Sequence, residues 1–290
     1  MSGFDPDWRP PTDLLADRVI AVTGAGTGIG RAAANAFAAH GATVLLFGRT
    51  EAKLMAVYDE IVAAGHPEPV IQAVNLAGLT AEDGQQLAAA IDDGFGRLDG
   101  LLHNASILGP RVPLASYDAH QWHEVLATNL SSNFVLTQAL LPLLEAGGAY
   151  TRDSAGGSTE EYSRESDAGR SASPADDGQS TRAPLVLFTG SGAGLRPRAY
   201  WGAYAVAKAG VEALMKVFAD EADQISAVRF ASLNPGGTRT AMRAAAFPGE
   251  DPASLPTPSD LMPLYLWLFG LGAREVNGQS IEARTWLGLA

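Results

Sequence analysis

Short apolar runs alternate with amphipathic stretches along most of the 290-residue chain. The apolar runs lack the strict polar–apolar alternation of a half-exposed strand, so they predict strands that are buried on both faces. Helical stretches between such strands predict parallel pairing through crossover helices. The predicted strands are 18–23, 43–47, 70–74, 101–103, 185–189, 228–233 and 279–283. The predicted helices are 29–40, 51–64, 80–95, 117–145 and 200–222.

This order of elements predicts an α/β fold, a Rossmann-like doubly wound parallel sheet in three layers and a single domain. The domain covers residues 18–290 and follows an N-terminal arm, residues 1–17. Segment 147–184 interrupts the pattern, because it is rich in Gly, Ser, Asp and Arg and has no Val, Ile, Leu or Phe. It has too little apolar surface to offset the entropy of ordering, so we expect a mobile or disordered insertion.

The charge and composition of the chain argue against several classes of binding partner and bound metal. The net charge is −12, and only three lysines are present, which argues against a nucleic-acid groove and against docking on anionic lipid. The absence of cysteine excludes disulfides, thiol nucleophiles and cysteine-ligated metals. The N-terminus has no signal-peptide pattern, and the apolar run 261–271 is too short to span a bilayer. We therefore expect a cytoplasmic protein with no nucleic-acid or membrane partner.

A glycine-rich turn follows the first predicted strand and precedes a helix. Gly24 permits the tight turn, Gly28 lets the backbone approach a pyrophosphate, and Gly30 lets the helix pack close to the sheet. A strand, such a turn and a helix N-terminus together form an anion site. A tight strand–helix turn without a ligand has the same sequence, but the context here favours a dinucleotide cofactor.

The end of the second predicted strand indicates which dinucleotide binds. NAD-binding folds typically place an acidic residue there for the ribose 2′-hydroxyl, yet no acid occurs before Glu51. Gly48 leaves space at this point, and Arg49 offers a planar cation that suits a phosphate. The sequence therefore favours NADP(H) over NAD(H), with a plain surface arginine as the alternative.

Tyr204 and Lys208 are spaced i and i+4 at the start of a predicted helix, so they share one face. A tyrosine normally keeps its proton up to a pKa of about 10. A nearby ammonium lowers that pKa and makes the phenol a usable acid or base nearer neutrality. In isolation, this spacing also occurs by chance.

Further motifs fall in order around this pair, and together they resemble the short-chain dehydrogenase/reductase (SDR) family in its short single-domain form. They are the turn Thr23-Gly24-x-x-x-Gly28-x-Gly30, His103-Asn104-Ala105-Ser106, Asn129, Ser191 and Asn234-Pro235-Gly236. The resemblance covers the chain except for the arm and the insertion. Segments 201–204, 234–243 and 262–268 are similar to the YciK-type oxidoreductase branch, which does not indicate a substrate.

The resemblance implies an enzyme that transfers hydride between NADP(H) and a carbonyl or alcohol. It implies that Tyr204 is the general acid and base, and that Lys208 lowers its pKa and binds the nicotinamide ribose. Ser191 would hold the substrate oxygen, and Asn129 would anchor a water that relays protons to Lys208. No metal is implied. Family members of this kind also form homodimers or homotetramers, here with helices 117–145 and 200–222 at the interface.

The cofactor contacts that the motifs and the resemblance imply extend along the chain. They are Gly24, Thr27, Gly28, Ile29, Gly30, Arg49, Asn75, Leu76, Asn104, Ala105, Ser106, Tyr204, Lys208, Pro235, Gly236 and Thr238. Two of these depart from the family pattern. Asn75 replaces an Asp that contacts the adenine, although its carbonyl oxygen can still accept from an adenine amine. Ser106 replaces a Gly and adds a small side chain near the cofactor.

Several other interpretations compete with this one. The fold could serve a cofactor-binding sensor or scaffold with little turnover, or an epimerase or dehydratase of the longer family form. His120 and His123 could bind a metal, although a solvated helix face is the simpler interpretation. His103 is expected to pack beside the cofactor turn rather than to act as a base. Three more residues, Tyr200, Trp201 and Met242, fit a substrate pocket and plain packing equally well.

Overall fold

The computed structural model describes residues 4–154 and 183–289, and its strands coincide with the predicted apolar runs to within about two residues at each end. The strands are β1 (Val19–Thr23), β2 (Thr43–Gly48), β3 (Val70–Ala73), β4 (Gly100–His103), β5 (Leu185–Thr189), β6 (Arg229–Asn234) and β7 (Ser280–Glu282). The α-helices are α1 (Gly28–Ala39), α2 (Glu51–Ala63), α3 (Ala81–Phe95), α4 (Ala119–Leu126), α5 (Ser132–Ser154), α6 (Gly192–Leu195), α7 (Gly202–Ala222), α8 (Ala241–Ala246), α9 (Met262–Gly270) and α10 (Ala283–Trp286).

Among these described residues, the strands form one sheet in the order β3-β2-β1-β4-β5-β6-β7, and every neighbouring pair is parallel. The register is level across the centre, where Val22 pairs with Leu46 on one side and with Leu102 on the other. The strand order reverses between β1 and β4. In such sheets ligands bind in the crevice at the carboxyl ends beside this reversal.

Both faces of the sheet are apolar, which explains why the strand sequences lack polar alternation. Ile20 and Val22 point to one face, where α1, α2 and α9 cover them. Val19 and Ala21 point to the other face, where α3, α5 and α7 pack. Burial of one such large apolar side chain contributes about 1.5–3 kcal/mol. The predicted doubly wound, three-layered α/β fold is confirmed.

The central helical region differs from its prediction at both ends. In place of one helix over 117–145, α4 passes through a π-helical turn, Ala127–Ser131, into α5. Helix α5 continues to Ser154, so the first residues of the predicted insertion, 147–154, are helical. Gly147 belongs to the helix because its missing side chain lets α5 lie against the chain at Leu98, whose carbonyl oxygen would be 2.3 Å from a Cβ. Residues 155–182 of the predicted insertion lie outside the described residues.

Helix α9 carries an apolar sequence on all sides and was not predicted. A helix buried all round has no 3.6-residue polar period, so the pattern gave no helical signal. No helix within residues 4–154 and 183–289 is long and apolar enough to cross a membrane.

The N-terminal arm packs against the C-terminal part of the chain. Phe4 is 6% exposed, and its ring centroid lies 5.5 Å from that of Trp267 and 6.4 Å from that of Trp286. Leu14 and Leu15 from the same arm are buried in the core. The arm is therefore part of the apolar layer on the α9 side of the sheet.

Candidate active site

A cavity of about 400 Å³ opens at the carboxyl ends of β1, β4, β5 and β6. It runs from the glycine turn after β1 to the start of α7, along the crevice where the strand order reverses. All the residues predicted for the site line this cavity except Gly30 and Asn129. The topology thus brings together predicted site residues that are up to 214 positions apart, from Gly24 to Thr238.

The glycine turn requires glycine at two positions for different reasons. Gly24 has φ +67°, and a Cβ there would lie 2.9 Å from the Cα of Ala105. A Cβ on Gly30 would lie 2.3 Å from the carbonyl oxygen of Gly24 and 2.5 Å from Nδ2 of Asn104. Gly30 is outside the cavity lining because it packs α1 against the turn, which is the role that the sequence assigned to it.

Hydrogen bonds tie this turn to the end of β4. The Thr23 hydroxyl donates to the carbonyl of Leu102 at 3.2 Å and accepts from the main-chain N–H groups of Asn104 and Ala105 at 2.9 and 3.0 Å. Nδ2 of Asn104 donates to the carbonyl of Thr23 at 3.1 Å. Thr27, the N-cap of α1, makes no side-chain hydrogen bond to the first turn of this helix. The first N–H groups of α1 thus face the cavity as an anion site.

Two cations line the cavity beside the glycine turn, where a Cβ on Gly26 would lie 2.9 Å from the Cβ of Lys53. Arg49 follows β2 as predicted, and Lys53 follows it by four residues on the first turn of α2. Both are exposed, and neither forms an ion pair within the part of the chain that the structure describes. No aspartate or glutamate is found among the described residues that line the cavity. Lys53 was not predicted as a site residue, although it follows Arg49 by only four positions in the sequence.

The adenine side of the predicted site is built by the segment after β3. Leu76 is buried, and Asn75 begins the short 3₁₀ turn Leu76–Gly78. The Asn75 side-chain oxygen, which we expected to face an adenine amine, accepts the main-chain N–H of Ala77 at 3.3 Å. An amide oxygen has a second lone pair, so this bond fixes the side chain without saturating it.

Ser191, Tyr204 and Lys208 meet at the other end of the cavity. The Lys208 ammonium donates to the main-chain carbonyl of Thr189 at 2.7 Å, and its Nζ lies 5.8 Å from the centroid of the Tyr204 ring. Ser191 is hydrogen-bonded to Tyr204 and also caps α6, since its Oγ accepts the N–H of Ala193 at 3.2 Å. Both Tyr204 and Lys208 are buried, with exposed fractions of 9% and 2%.

Burial controls the acidity of this pair. It raises the pKa of Tyr204 above its ordinary value, and the hydrogen bond with Ser191 opposes that rise. Burial lowers the pKa of Lys208 to about 8, and the charge of Glu212 opposes that fall. Burial is thus the largest influence on the pKa of Tyr204, and the lowering of that pKa by Lys208 stays a prediction.

Asn129 occupies the π-helical turn and is fully buried. Its Oδ1 accepts the N–H of Ile107 and its Nδ2 donates to the carbonyl of Ile107, each at 2.8 Å. These two hydrogen bonds fix the chain segment that lines the cavity after β4. The side chain itself is outside the lining, so the predicted role as a water anchor stays a prediction.

The substrate end of the cavity combines apolar and aromatic side chains with Arg243, whose Cζ lies 3.8 Å from the Phe247 ring centroid. Trp201 and Met242 line it, whereas Tyr200 is 56% exposed and lies outside the lining. Phe247, which the sequence analysis missed, lies with its ring centroid 5.8 Å from that of Trp201. Arg111 lies 4.9 Å from the Trp201 ring centroid and donates to the carbonyl of Ala246.

Two polar side chains near the cofactor turn have structural environments. His103 is 2% exposed, stacks on Phe188 at 4.8 Å and lies 2.8 Å from the hydroxyl of Thr137 through Nε2. Burial, and to a smaller extent the nearby charge of Lys208, lowers the pKa of His103 to about 3. His103 therefore packs in the core, as expected. Ser106 lines the cavity, and its buried hydroxyl has no hydrogen-bond partner within the described chain.

Metal ligands do not gather in the described ranges. No group of three or more His, Asp or Glu side chains there could hold a metal ion. The Nδ1 atom of His123 lies 2.6 Å from the carbonyl of Ala119 on its own helix.

The short chain dehydrogenase family model matches residues 18–152 and 177–251. The two matched segments contain every residue that the sequence analysis assigned to catalysis or to the cofactor. They are separated only within the stretch predicted as an insertion.

Relatives and solved structures match almost the whole chain. The uncharacterized oxidoreductase YciK of Escherichia coli K12 is 43% identical over 277 residues, which are 96% of each chain. A short chain dehydrogenase structure from Pseudomonas syringae is 45% identical with a TM-score of 0.80, and the match covers 96% of this chain and 98% of that one. A structure from Escherichia coli CFT073 complexed with NADPH is 42% identical with a TM-score of 0.79, covering 95% and 100%.

Proposed function

The chain belongs to the short-chain dehydrogenase/reductase family of oxidoreductases, and on that premise we propose that it transfers hydride between NADP(H) and a carbonyl or alcohol substrate, with Tyr204 as general acid and base. The observation that carries the proposal is the convergence of Ser191, Tyr204 and Lys208 at one end of a cavity whose other end is a glycine turn.

The residues around the cavity fit a nicotinamide dinucleotide. Gly28, with φ +56°, would let the backbone approach a phosphate, and the N-terminus of α1 supplies N–H donors without a capping side chain. Asn75 and Leu76 would flank the adenine, and Pro235, Gly236 and Thr238 would flank the nicotinamide. The cofactor, when bound, supplies the hydride chemistry, and the chain supplies position and electrostatics.

NADP(H) is preferred over NAD(H) in this proposal. Arg49 and Lys53 give the adenosine end two cations, and the described lining holds no acid that would grip a free 2′-hydroxyl. This local charge opposes the net charge of −12 over the chain. The NADPH in the related Escherichia coli CFT073 structure supports the same choice.

The contacts of the four catalytic candidates support a role for each of them. The Tyr204 hydroxyl gives its proton to the substrate oxygen as the carbonyl is reduced and takes it back in the reverse direction. Because burial raises its pKa, Tyr204 holds that proton at neutral pH until a substrate oxygen accepts it. Ser191, already hydrogen-bonded to Tyr204, positions the substrate oxygen, and Lys208 places a positive charge beside the developing phenolate. Asn129 holds the wall of the site through Ile107 and is proposed to anchor the relay water.

The preferred substrates carry an apolar group next to the reacting carbon. Trp201, Met242 and Phe247 present flat or flexible apolar surface beside Tyr204, together with Ile107 and Leu108. An aromatic or branched aliphatic group would bury against these side chains. Small, strongly hydrated aldehydes gain little from such a surface.

We also propose that the protein assembles as a homodimer or homotetramer. Helices α5 and α7 present Phe134, Val206 and Val217 to solvent at 44%, 47% and 54% exposure. Large apolar side chains exposed on neighbouring long helices favour association of copies.

A screen of ketones, aldehydes and alcohols with NADP(H) and NAD(H), followed by the absorbance of the reduced nicotinamide, tests the proposal. We expect turnover of apolar ketones with NADPH and far weaker turnover with NADH. Tight NADPH binding with no turnover of any substrate would instead favour a cofactor-binding sensor or scaffold.

A further inference from the structure

A buried acidic side chain lies one helical turn beyond Lys208 on α7. Glu212 is only 7% exposed, and its i+4 spacing places it on the same face of the helix as the lysine. A buried carboxylate is costly unless hydrogen bonds or an opposite charge stabilise it. The proposed mechanism gives Glu212 no role so far.

Two serines hold the Glu212 carboxylate against the sheet. Oε2 accepts from the hydroxyl of Ser232 on β6 at 2.7 Å and from the hydroxyl of Ser280 on β7 at 2.5 Å. These bonds fix the side chain in one orientation, because the two donors come from adjacent strands. The fold therefore holds the carboxylate in a defined position.

The other carboxylate oxygen lies beside the catalytic segment. A Cβ on Gly190 would be 2.6 Å from Oε1 of Glu212. Gly190 joins Thr189, whose carbonyl accepts the bond from Lys208, to Ser191. The carboxylate of Glu212 thus lies next to the segment Thr189–Ser191, whose first carbonyl accepts the hydrogen bond from Lys208.

Glu212 also acts on Lys208 through its charge. Burial lowers the pKa of Lys208 to about 8, and the carboxylate is the group that opposes this fall. The other neighbours that face the lysine are His103 from β4, which is neutral with a pKa of about 3, and Tyr204.

No charged group on the other described elements that pack on α7 shifts the pKa of Lys208. The titratable residues of α4 are His120, His123 and Glu124, and none of them shifts the pKa of Lys208. The π-helical turn, β5 and α6 have no titratable side chain in their sequences. Arg229 on β6 donates to the carbonyls of Ser226 and Val228.

We propose that Glu212 is a positioning residue for the reaction: its carboxylate keeps the Lys208 ammonium charged and seated at the carbonyl of Thr189. The inference rests on the proposed roles of Lys208 and Tyr204. A purely structural role, in which Glu212 only ties α7 to β6 and β7, is the alternative that the test must separate.

Titration of Lys208 in the full chain tests this without any substrate. The chain has three lysines, so a protein labelled with ¹³C at lysine Cε gives three resonances, which Lys53→Arg and Lys216→Arg assign. We expect Glu212→Gln to lower the titration midpoint of Lys208 by about one pH unit, because the ammonium loses its opposite charge.

Two control variants separate charge from packing. Ser280→Ala removes one hydrogen bond from the carboxylate but keeps its charge, and Glu221→Gln removes an exposed charge from the same helix. Both should leave the Lys208 midpoint at the parent value. The proposal fails if Glu212→Gln leaves the midpoint unchanged, or if Ser280→Ala moves it as far.

A triple variant keeps the test decisive if Glu212→Gln does not fold. Glu212→Met with Ser232→Ala and Ser280→Ala replaces the whole polar cluster by apolar packing, which proteins often tolerate. The Lys208 midpoint should fall by the same amount in this variant. An unchanged midpoint would overturn the proposal.

The pH dependence of kcat/KM then links the charge to turnover. The basic limb in Glu212→Gln should move to lower pH by the same amount as the Lys208 midpoint, with NADPH affinity unchanged. If the midpoint moves but the parent turns over no substrate, the proposed activity is wrong while the coupling of the two charges holds. If turnover is present and the limb stays in place, Glu212 is structural only.

Discussion

The ammonium of Lys208 donates to the main-chain carbonyl of Thr189 across 2.7 Å. This bond ties α7 to the carboxyl end of β5, directly before Ser191. Its Nζ lies 5.8 Å from the Tyr204 ring centroid. The main chain at the end of β5 therefore holds the lysine at the same end of the cavity as Ser191 and Tyr204.

The acidity of Lys208 predicts the basic limb of the pH profile. Its pKa is about 8, so the ammonium is present below that pH and is lost as the pH rises through it. We expect kcat/KM for ketone reduction to be level below pH 8 and to fall about tenfold per pH unit above it. Initial rates measured at low substrate from pH 5 to 10 check this, and a level profile up to pH 10 would contradict it.

Removal of Arg49 should separate the two nicotinamide cofactors. Arg49→Ala deletes the cation that we propose contacts the 2′-phosphate, so we expect NADPH to bind about 10- to 100-fold more weakly and NADH to be nearly unaffected. Lys53→Ala should act in the same direction. Fluorescence titrations measure both, with Arg9→Ala as an exposed cation away from the cavity. Equal losses for NADPH and NADH would remove the case for NADP(H) preference.

The aromatic contact of the N-terminal arm predicts a stability effect. Phe4→Ala empties a site between Trp8, Trp267 and Trp286. We expect the free energy of unfolding to fall by about 3–5 kcal/mol, as for other buried phenylalanines. Urea unfolding of Phe4→Ala beside Ile225→Ala, whose side chain is 86% exposed, gives the comparison. A loss no larger than in the Ile225 variant would mean that the arm adds no stability.

Much of the fold was predictable because its signals are local. Each strand is a continuous apolar run, and α3 begins within one residue of its predicted start, behind a capping box formed by Thr80 and Asp83. The glycines were predictable too, since φ +67° at Gly24 and the close contact at Gly30 both require the residue itself. The ordered motifs then placed Tyr204, Lys208 and Ser191 at one site.

Other features depend on packing that the sequence does not display. Helix α9 is buried on every side, so no polar face marked it. Gly147 looked like the start of a loop, yet it is a contact glycine inside α5. Lys53, Phe247 and Glu212 carry no motif, and only the folded chain brings them to the cavity or to Lys208. The upward shift in the pKa of Tyr204 likewise comes from burial, which spacing alone cannot reveal.

Turnover by Tyr204→Phe, measured next to its NADPH affinity, tests the central claim most directly. The variant lacks the proton donor but keeps the ring, so we expect NADPH to bind as in the parent and kcat to fall about 100- to 10,000-fold on a ketone found in the screen. Tyr200→Phe, an exposed tyrosine outside the cavity lining, should keep the parent rate. Parent-like turnover by Tyr204→Phe with NADPH bound would contradict the assignment of Tyr204 as the general acid.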